Sequence, residues 1–266
     1  MARQIVTLTT DFGHNDHFVG VVKGVILKLA PETDIVDICH DVRPYDILDG
    51  AFTIAQAYRY FPPRTIHMVV VDPGVGTARR PIIAVGDVYS FVAPDNGVLS
   101  FMYAKEPEHS VRHVTSEHYF LSPVSQTFQA RDVFAPVTGW LARGVEGLKF
   151  GDPITDYVRF APPKPKAVNE NTVQGVVLKV DRFGNLITNL TPEDLPRLFQ
   201  ENPPPFKMTV GQKEVTKLNL AYAQSPAGEA FVVVGSSGYL EVSTNRGAAN
   251  RILQADRGAQ VVVTLG

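Results

Sequence analysis

Acidic and basic side chains cluster with glycines at two places in the first half of the sequence, each directly after an apolar run. Residues 11–17 hold two aspartates and two histidines, and residues 72–80 hold Asp72, two glycines and the neighbours Arg79 and Arg80. A glycine-rich turn lets a ligand approach the backbone, and a carboxylate can pair with an arginine across it. Either arginine can pair with Asp72, and a surface pair that only holds the loop is the simpler alternative.

Two interpretations are open for residues 11–17. Two aspartates and two histidines within seven residues are suitable ligands for zinc or another divalent ion. The same residues suit a helix start, with Asn15 or Asp16 as the cap. The Asp-Phe-Gly triplet at 11–13 also occurs in protein kinases, but the sequence lacks the glycine-rich loop, strand lysine and His-Arg-Asp loop of a kinase.

Three further polar segments lie at 127–136, 180–189 and 235–241. The first suits another helix start in which Arg131 and Asp132 pair with each other. The second contains a Gly-Asn pair typical of a β-turn, and the third suits a hairpin or a bulge. Taken singly, none of these segments specifies a chemistry.

The elements that must position the first two clusters alternate between strand and helix. Apolar spacing predicts two helices, at 16–30 and 47–60, and three strands, at 5–9, 34–38 and 66–71. This order indicates a parallel sheet with helices on both faces. Ligand sites on such sheets lie beyond the carboxyl ends of the strands, which is where Asp11 and Asp72 stand.

The composition changes at a proline-rich segment, residues 160–166, beyond which helical patterns nearly vanish. Short β-like runs follow at 173–180, 206–210, 230–234, 239–242 and 260–265. They predict a small all-β barrel or sandwich. The predicted organisation is an α/β N-terminal domain at 1–160, a proline-rich linker at 161–171 and a smaller all-β C-terminal domain at 172–266.

The composition excludes several classes of protein. A chain of 266 residues with 44% hydrophobic and 20% charged residues is neither disordered nor fibrous. A formal net charge of −2 argues against a nucleic-acid or polybasic membrane partner. Cys39 is the only cysteine, which excludes a disulfide framework. No apolar run is long enough for a membrane span, and the first residues, from Met1 and Ala2 onward, lack the features of a signal peptide, so we expect a cytoplasmic protein.

Taken together and in this order, the five polar segments resemble the S-adenosylmethionine hydrolases (adenosine-forming), relatives of the fluorinases and chlorinases. The resemblance extends from about Ile5 to Leu265. The matching runs are 10–13 with Asp16, 71–77, 127–128 with 131–136, 181–185 and 237–241. The resemblance implies an α/β domain joined to a β-barrel domain, a homotrimer with active sites between one subunit's N-terminal domain and a neighbour's C-terminal domain, and no metal or other cofactor.

The resemblance also implies a reaction: water or hydroxide attacks the ribose 5′ carbon of S-adenosyl-L-methionine in line, and adenosine and L-methionine are the products. A sulfonium is already a good leaving group, so the protein must chiefly position the substrate and the water. Two other functions stay open. One is a non-catalytic protein that binds adenosine or S-adenosylmethionine, and the other is a metal-dependent hydrolase that uses His14, His17 and the aspartates.

Substrate contacts follow from the same resemblance. Asp11 would accept the ribose hydroxyls, Tyr45 would lie against the ribose, and Asp16 and Asp181 would hold the methionine ammonium group. The remaining implied contacts are Phe183 and Asn185 at the adenine, Tyr239 and Glu241 completing the adenine wall, Ser236 and Ser237 at the methionine carboxylate, and Phe128, which is implied to bind substrate with no particular group assigned to it.

Asp72 and Arg79 match two of the three groups that handle water in these hydrolases. The third is usually a histidine in a Thr-Phe-His-Gly-Arg-Asp run, where this sequence has Gln129 followed by Ala130. Glutamine can orient a water molecule but cannot take its proton near neutral pH. The implied catalytic residues are therefore Asp72, Arg79 and Gln129, with Asp72 as base or Arg79 stabilising a hydroxide-like nucleophile.

Asp72 also bears on the choice of nucleophile, because halogenating relatives carry a neutral residue at this position. Two like unit charges 4 Å apart repel by about 4 kcal/mol at a surface-like dielectric. A carboxylate here is therefore expected to favour water over chloride or fluoride.

Overall fold

The computed structural model describes residues 3–266, so the first two residues of the predicted N-terminal run, Met1 and Ala2, lie outside it. The chain folds as two compact units, the first ending at Pro162 and the second covering Pro163–Gly266. The boundary falls within the predicted linker, in which Lys166–Asn169 forms a strand. Among the described residues, no helix is long and apolar enough to cross a membrane.

The first unit is built on one mixed sheet. Across the described residues its strands are β1 Gln4–Thr10, β2 Thr33–Cys39, β3 Ile66–Val70, β4 Pro81–Gly86, β5 Ser90–Pro94, β6 His109–His113 and β7 Pro153–Ile154. They are ordered β2-β1-β3-β5-β4-β6-β7. The first four in this order are parallel, whereas β4, β6 and β7 pair antiparallel.

The expectation of a wholly parallel sheet is therefore wrong for one side of it. Strands β4 and β5 are separated by three residues, and the Gly86 N–H donates to the Tyr89 carbonyl at 3.0 Å. So short a connection can only reverse the chain, because a parallel crossover needs a dozen or more residues. The predicted strands and helices lie on the parallel side, which carries the first two polar clusters.

Helices cover both faces of this sheet, as predicted. They are α1 Phe18–Leu29, α2 Ile47–Ala57, α3 Ser100–Lys105 and α4 Ala135–Ala142. Helices α1 and α4 pack together on one face over a core that includes Leu8 and Met68, and α2 and α3 cover the other face over a core that includes Val69. The predicted second helix is α2 followed by a 3₁₀ turn at Tyr58–Tyr60.

The cap expected for the first helix is wrong. Helix α1 begins at Phe18, and the residue before it is His17 rather than Asn15 or Asp16. The His17 side chain makes no capping hydrogen bond, but its ring packs on Phe18 at 4.6 Å between centroids. The helix start is therefore held by aromatic packing instead of by a polar cap.

The second unit is a nearly all-antiparallel β structure with one short helix. Its described elements are β8 Lys166–Asn169, β9 Thr172–Val180, β10 Leu186–Thr188, β11 Phe206–Val210, β12 Lys213–Val215, β13 Leu218–Asn219, β14 Ala230–Val234, β15 Leu240–Thr244, α5 Ala249–Leu253 and β16 Gln260–Leu265. The sheet order is β12-β11-β16-β9-β10-β15-β14-β13, and β8 pairs with β9. Val215 on β12 and Val232 on β14 share one core, so the sheet curls around it.

Candidate active site

The structure brings Asp72, Arg79 and Gln129 together beyond the carboxyl end of β3. Arg79 Nε lies 3.1 and 2.9 Å from the two Asp72 carboxylate oxygens, and Arg79 Nη2 donates to both Asp72 Oδ2 and Gln129 Oε1. The Arg79 and Asp72 side chains are only 9% and 5% exposed. A charged pair at this depth is held in one geometry by several hydrogen bonds, which is what a site that must position reactants requires.

Glycine makes this arrangement possible. Gly76 has φ +78°, and a Cβ atom there would lie 2.4 Å from the Gln126 carbonyl oxygen. The 72–79 loop therefore touches the segment that leads into Gln129. The Thr77 hydroxyl donates to the Gly74 carbonyl at 2.6 Å and tightens the same loop, and the Arg79 guanidinium lies over the Phe134 ring.

The sequence left open which arginine pairs with Asp72, and the structure separates the two. Arg80 Nε donates to Asp95 Oδ2 at 2.8 Å, and Arg80 Nη1 donates to Asp156 Oδ1 at 2.8 Å. Arg80 thus joins the loop to elements beyond β5 rather than to the candidate site. The Arg131–Asp132 pair is also structural, because Asp132 accepts from the Ser125 backbone N–H at 2.8 Å.

Asp11 stands at the end of β1, beside β3. Its Oδ2 accepts the Tyr45 backbone N–H at 2.9 Å. Burial raises the pKa of Asp11 above its usual range, the Tyr45 hydrogen bond opposes this rise, and the Asp72 charge adds to it. The negative charge of Asp72 therefore acts on Asp11 at one edge of the sheet. Tyr45 has φ +66°, a strained conformation for a non-glycine residue, and its side chain is exposed.

Phe128 links the 11–17 segment to the Gln129 segment. Its ring packs edge-on against Phe12 and Phe18, with centroids 6.2 and 5.0 Å away. Asp16 lies on the exposed side of this turn. His14 and His17 are exposed as well, and residues 3–266 contain no group of three His, Cys, Asp or Glu side chains placed to hold a metal ion.

In the second unit, Asp181 closes the turn between β9 and β10. Its Oδ1 accepts the backbone N–H groups of Phe183 and Asn185 at 2.9 and 2.8 Å, and its Oδ2 accepts the Asn185 side-chain amide at 2.8 Å. Gly184 has φ +85° and packs against Ala248, where a Cβ would lie 2.7 Å from the Ala248 Cβ. The turn buries Asn185 and leaves the Phe183 ring exposed.

Glu241 lies on β15 and is buried. Tyr222 Oη donates to Glu241 Oε2 at 3.2 Å. Burial raises the pKa of Glu241, the Tyr222 hydrogen bond opposes the rise, and the charge of Asp181 adds to it. Because the charge of Asp181 acts on Glu241, the β9–β10 turn and β15 form one polar region. A Cβ on Gly235 would overlap the Glu241 carboxylate, so glycine at this position leaves room for the Glu241 side chain as it stands.

The loop between β14 and β15 carries the other predicted contacts, Ser236, Ser237 and Tyr239. Ser236 is exposed, Ser237 and Tyr239 are half-buried, and burial followed by the charge of Asp194 raises the pKa of Tyr239. The Asp194 interaction places this loop beside the 191–194 turn. In the antiparallel β10–β15 pair, Leu186 is opposite Val242. The β14–β15 loop and the 181–185 turn therefore extend from opposite ends of this strand pair.

Sequence reasoning missed several residues that hold these groups. Tyr222 is separated from Glu241 by 19 positions, and no local pattern links them. His40 has no motif of its own, yet it is buried at the end of β2 and its ring contacts the Thr10 side chain next to Asp11. A polar residue directly after a predicted buried strand was the one available signal for His40.

The fold and this cluster are typical of a two-unit protein with a candidate small-molecule site at the carboxyl edge of an α/β sheet. Comparison with known proteins agrees with that class. The N-terminal domain of the SAM hydroxide adenosyltransferase family matches residues 6–151, and its C-terminal domain matches residues 175–262. The chain belongs to this family.

Individual relatives cover nearly the whole chain. An (R)-S-adenosyl-L-methionine hydrolase of Thermus thermophilus is 34% identical over 96% of this chain and 98% of its own. A fluorinase of Nocardia brasiliensis is 28% identical over 99% of this chain and 98% of its own. The crystal structure of an uncharacterized conserved protein from Thermotoga maritima matches with a TM-score of 0.90 at 34% identity, covering 98% of this chain and 100% of that one.

Proposed function

We propose that this protein hydrolyses S-adenosyl-L-methionine to adenosine and L-methionine. The observation that carries the proposal is the contact of Arg79 with both Asp72 and Gln129 beside Asp11. The hydrolase relative of Thermus thermophilus, similar along almost the whole chain, supports it. In the reaction the ribose C5′–S bond breaks, its electron pair passes to sulfur, and a C5′–O bond forms to water.

The donors and acceptors of the cluster suit a bound water molecule. Arg79 donates to Gln129 Oε1, so the Gln129 amide N–H groups point away from Arg79 and can donate to a water oxygen. Asp72 Oδ1 receives only the longer Arg79 Nε bond and has lone pairs left for a water proton. Asp72 then takes the proton of the attacking water as the C5′–O bond forms. Arg79 stabilises the negative charge that develops on the attacking oxygen.

Arg79 also changes the expected repulsion between Asp72 and a halide ion acting as the nucleophile. An anion beside the cluster meets a paired carboxylate and guanidinium rather than a lone negative charge. The repulsion expected from Asp72 alone is therefore largely offset. We propose that water is selected because the Asp72 carboxylate can accept a hydrogen bond from the nucleophile. Water can donate that hydrogen bond, and a halide cannot.

The substrate contacts are proposed as follows. Asp11 accepts the ribose hydroxyls, with Tyr45 against the sugar. Asp16 and Asp181 pair with the methionine ammonium group. The remaining contacts are Phe183 and Asn185 at the adenine, Tyr239 and Glu241 on the adenine wall, Ser236 and Ser237 at the methionine carboxylate, and Phe128 in the wall of the substrate site. The exposed Asp16 side chain and the exposed Phe183 ring are available for these contacts.

We further propose a cytoplasmic homotrimer in which each site takes one half from each of two copies. Tyr45 and Phe183 support this arrangement, since they are 75% and 76% exposed and large aromatic side chains gain most when they are covered. A mixing experiment tests it: Asp72→Asn and Asn185→Ala subunits, each inactive or weak alone, are unfolded together, refolded and assayed. Shared sites recover part of the wild-type rate in mixed trimers, whereas sites within one copy recover none.

A second candidate is a non-catalytic binder of adenosine or S-adenosylmethionine, favoured by Gln129 at the position where the hydrolases usually carry histidine. Chromatography of S-adenosylmethionine incubated with the purified protein separates the two functions. The hydrolase releases many equivalents of adenosine and methionine, and the same incubation with Asp72→Asn releases few. A binder yields at most a stoichiometric complex and no methionine, which would overturn the proposed function. Persistence of turnover after chelation would exclude the metal-dependent alternative.

A further inference from the structure

A chain of polar contacts runs from the surface of the first unit to the backbone next to Asp11. Lys23 Nζ lies 2.6 Å from Asp37 Oδ2, and Asp37 Oδ1 lies 3.0 Å from His40 Nε2. The last contact is oblique to the ring N–H direction, so it is chiefly electrostatic. On the other side of the ring, His40 Nδ1 lies 2.7 Å from the Thr10 hydroxyl oxygen, and His40 and Thr10 are both 1% exposed.

The Asp37 carboxylate beside Nε2 favours one neutral state of the imidazole, with the ring proton on Nε2. The Phe12 backbone N–H donates to Thr10 Oγ1 at 3.4 Å, so the Thr10 hydroxyl proton is free to point at His40 Nδ1. His40 Nδ1 is then an acceptor, and the ring proton sits on Nε2, which is near the Asp37 carboxylate but does not direct its N–H at it. In a protonated ring Nδ1 carries a proton, so it would donate to Thr10 and the direction of this hydrogen bond would be reversed.

The same pair joins the two loops that carry the proposed ribose contacts. The Gly13 backbone N–H donates to the His40 carbonyl at 2.8 Å, and the Val42 N–H donates to the Thr10 carbonyl at 3.3 Å. Three residues beyond Val42, the Tyr45 N–H donates to Asp11 Oδ2. The Thr10–His40 bond is a buried side-chain connection between the loop that holds Asp11 and the loop that holds Tyr45.

We infer that His40 is a positioning residue, which through Thr10 sets the orientation of Asp11 toward the ribose. The inference rests on the proposed function for its substrate. It adds a residue that contacts no substrate and acts on binding rather than on the chemical step.

The inference has a pH dependence with a defined sign. His40 faces Asp37, His14 and Lys23: burial lowers the pKa of His40, Asp37 opposes this, and His14 and Lys23 add to it. The ring is therefore neutral at pH 7 and acquires its proton only at a pH below the usual 6.5 for histidine. As the pH falls through this lowered pKa of His40, KM should rise before kcat changes.

A matched pair of substitutions on β1 tests the inference. Thr7 Oγ1 lies 2.7 Å from His67 Nδ1, and both are fully buried, so Thr7→Val removes a bond of the same kind three residues before Thr10. Both Thr7→Val and Thr10→Val should lower the melting temperature. Only Thr10→Val should raise KM for S-adenosylmethionine, by roughly five- to tenfold with kcat nearly unchanged, since a buried hydrogen bond contributes about that factor. Thr10→Ser, which keeps the hydroxyl, should restore KM.

His40→Asn supplies the pH arm, because its amide oxygen can accept from Thr10 and does not titrate. Its KM should lose the acid limb that belongs to His40 and keep the limb that belongs to Asp11. An unchanged KM in Thr10→Val, or an equal rise in Thr7→Val, would overturn the inference. If the wild type releases no adenosine, the proposed function fails, and calorimetry with adenosine then decides the inference: weaker binding in Thr10→Val alone supports it, and no difference or no binding contradicts it.

Discussion

The two polar regions of the molecule are built in different ways. In the first unit, Asp72 and Arg79 are nearly inaccessible to solvent, and each is held by more than one hydrogen bond, with Gln129 joined to the same guanidinium. In the second unit, the Asp181 carboxylate is used to shape its own turn, and the neighbouring Phe183 ring stands in solvent. One region fixes charged groups, whereas the other presents the Phe183 ring on a turn that Asp181 and the buried Asn185 hold rigid.

This difference suits two kinds of task. Groups that act on a reacting bond must be oriented before the substrate arrives, since reorganising charges during the reaction is costly. Groups that recognise a flat base need a rigid platform and an apolar face. We therefore propose that the first unit carries the chemistry and the second recognises the base. Substitutions in the two regions should then separate into effects on kcat and effects on KM.

The largest effect is expected for Asp72→Asn. The amide keeps the shape but cannot take a proton and cannot form the same charged pair with Arg79, so kcat should fall by about 10²- to 10⁴-fold with a small change in KM. Steady-state release of adenosine measures this. Asp156→Asn is the matched control, because Asp156 also pairs with an arginine, at 2.8 Å, but on the exposed surface. Equal losses in the two variants would remove the distinction between the regions.

The next effect is expected for Phe183→Ala. Loss of a stacking ring costs roughly 1–3 kcal/mol per base in other proteins, so KM should rise by about 5- to 150-fold while kcat stays within a few-fold. Phe199→Ala, which truncates another partly exposed phenylalanine of the same unit, should leave both constants unchanged. A fall in kcat without a rise in KM would show that the second unit takes part in the chemical step.

Gln129→His should raise kcat by a smaller factor, roughly tenfold, because imidazole can accept the proton that glutamine cannot. The variant should also acquire a new acid limb in kcat near the usual histidine pKa, as the imidazolium form can no longer act as a base. Gln129→Asn serves as the control and should show no such limb. A slower Gln129→His enzyme with an unchanged pH profile would mean that Gln129 is adapted to a different role.

The smallest effect is expected for Tyr222→Phe. The Tyr222 hydroxyl lowers the pKa of Glu241 against burial and the charge of Asp181, so its removal should raise that pKa further. Binding that needs the Glu241 carboxylate is then lost at a higher pH as the solution is acidified. KM measured against pH should show this limb move upward by a fraction of a unit, with kcat unaffected. Tyr60→Phe, in the other unit, should leave the limb in place.

Sequence patterns predicted the strands and helices that carry Asp11 and Asp72, because long apolar runs and helical spacing depend on the chain itself. The antiparallel strands β4 and β5 were not recognised, although their short connection required a hairpin. The sequence alone could not decide whether Asp72 pairs with Arg79 or Arg80, since both arginines lie on the same loop. Arg80 pairs instead with Asp95 and Asp156, which are distant in the sequence.

The supporting contacts were beyond local patterns for the same reason. The hydroxyl of Tyr222 reaches Glu241 only because the sheet curls, and His40 meets Thr10 only because β1 and β2 are neighbours. The roles of individual site residues came from the family resemblance and remain predictions. What the structure adds is geometry: which predicted groups touch each other, and which side chains hold them in place.

Hydrolysis in oxygen-labelled water tests the central claim most directly. The protein is incubated with S-adenosylmethionine in H₂¹⁸O. Adenosine and methionine are then separated, and their molecular masses are measured by mass spectrometry. Attack of water at C5′ predicts one ¹⁸O atom in the adenosine 5′-hydroxyl, none in methionine, and loss of the labelled product in Asp72→Asn. Unlabelled adenosine, or labelled adenosine formed at the same rate by Asp72→Asn, would contradict the assignment of the chemistry to this cluster.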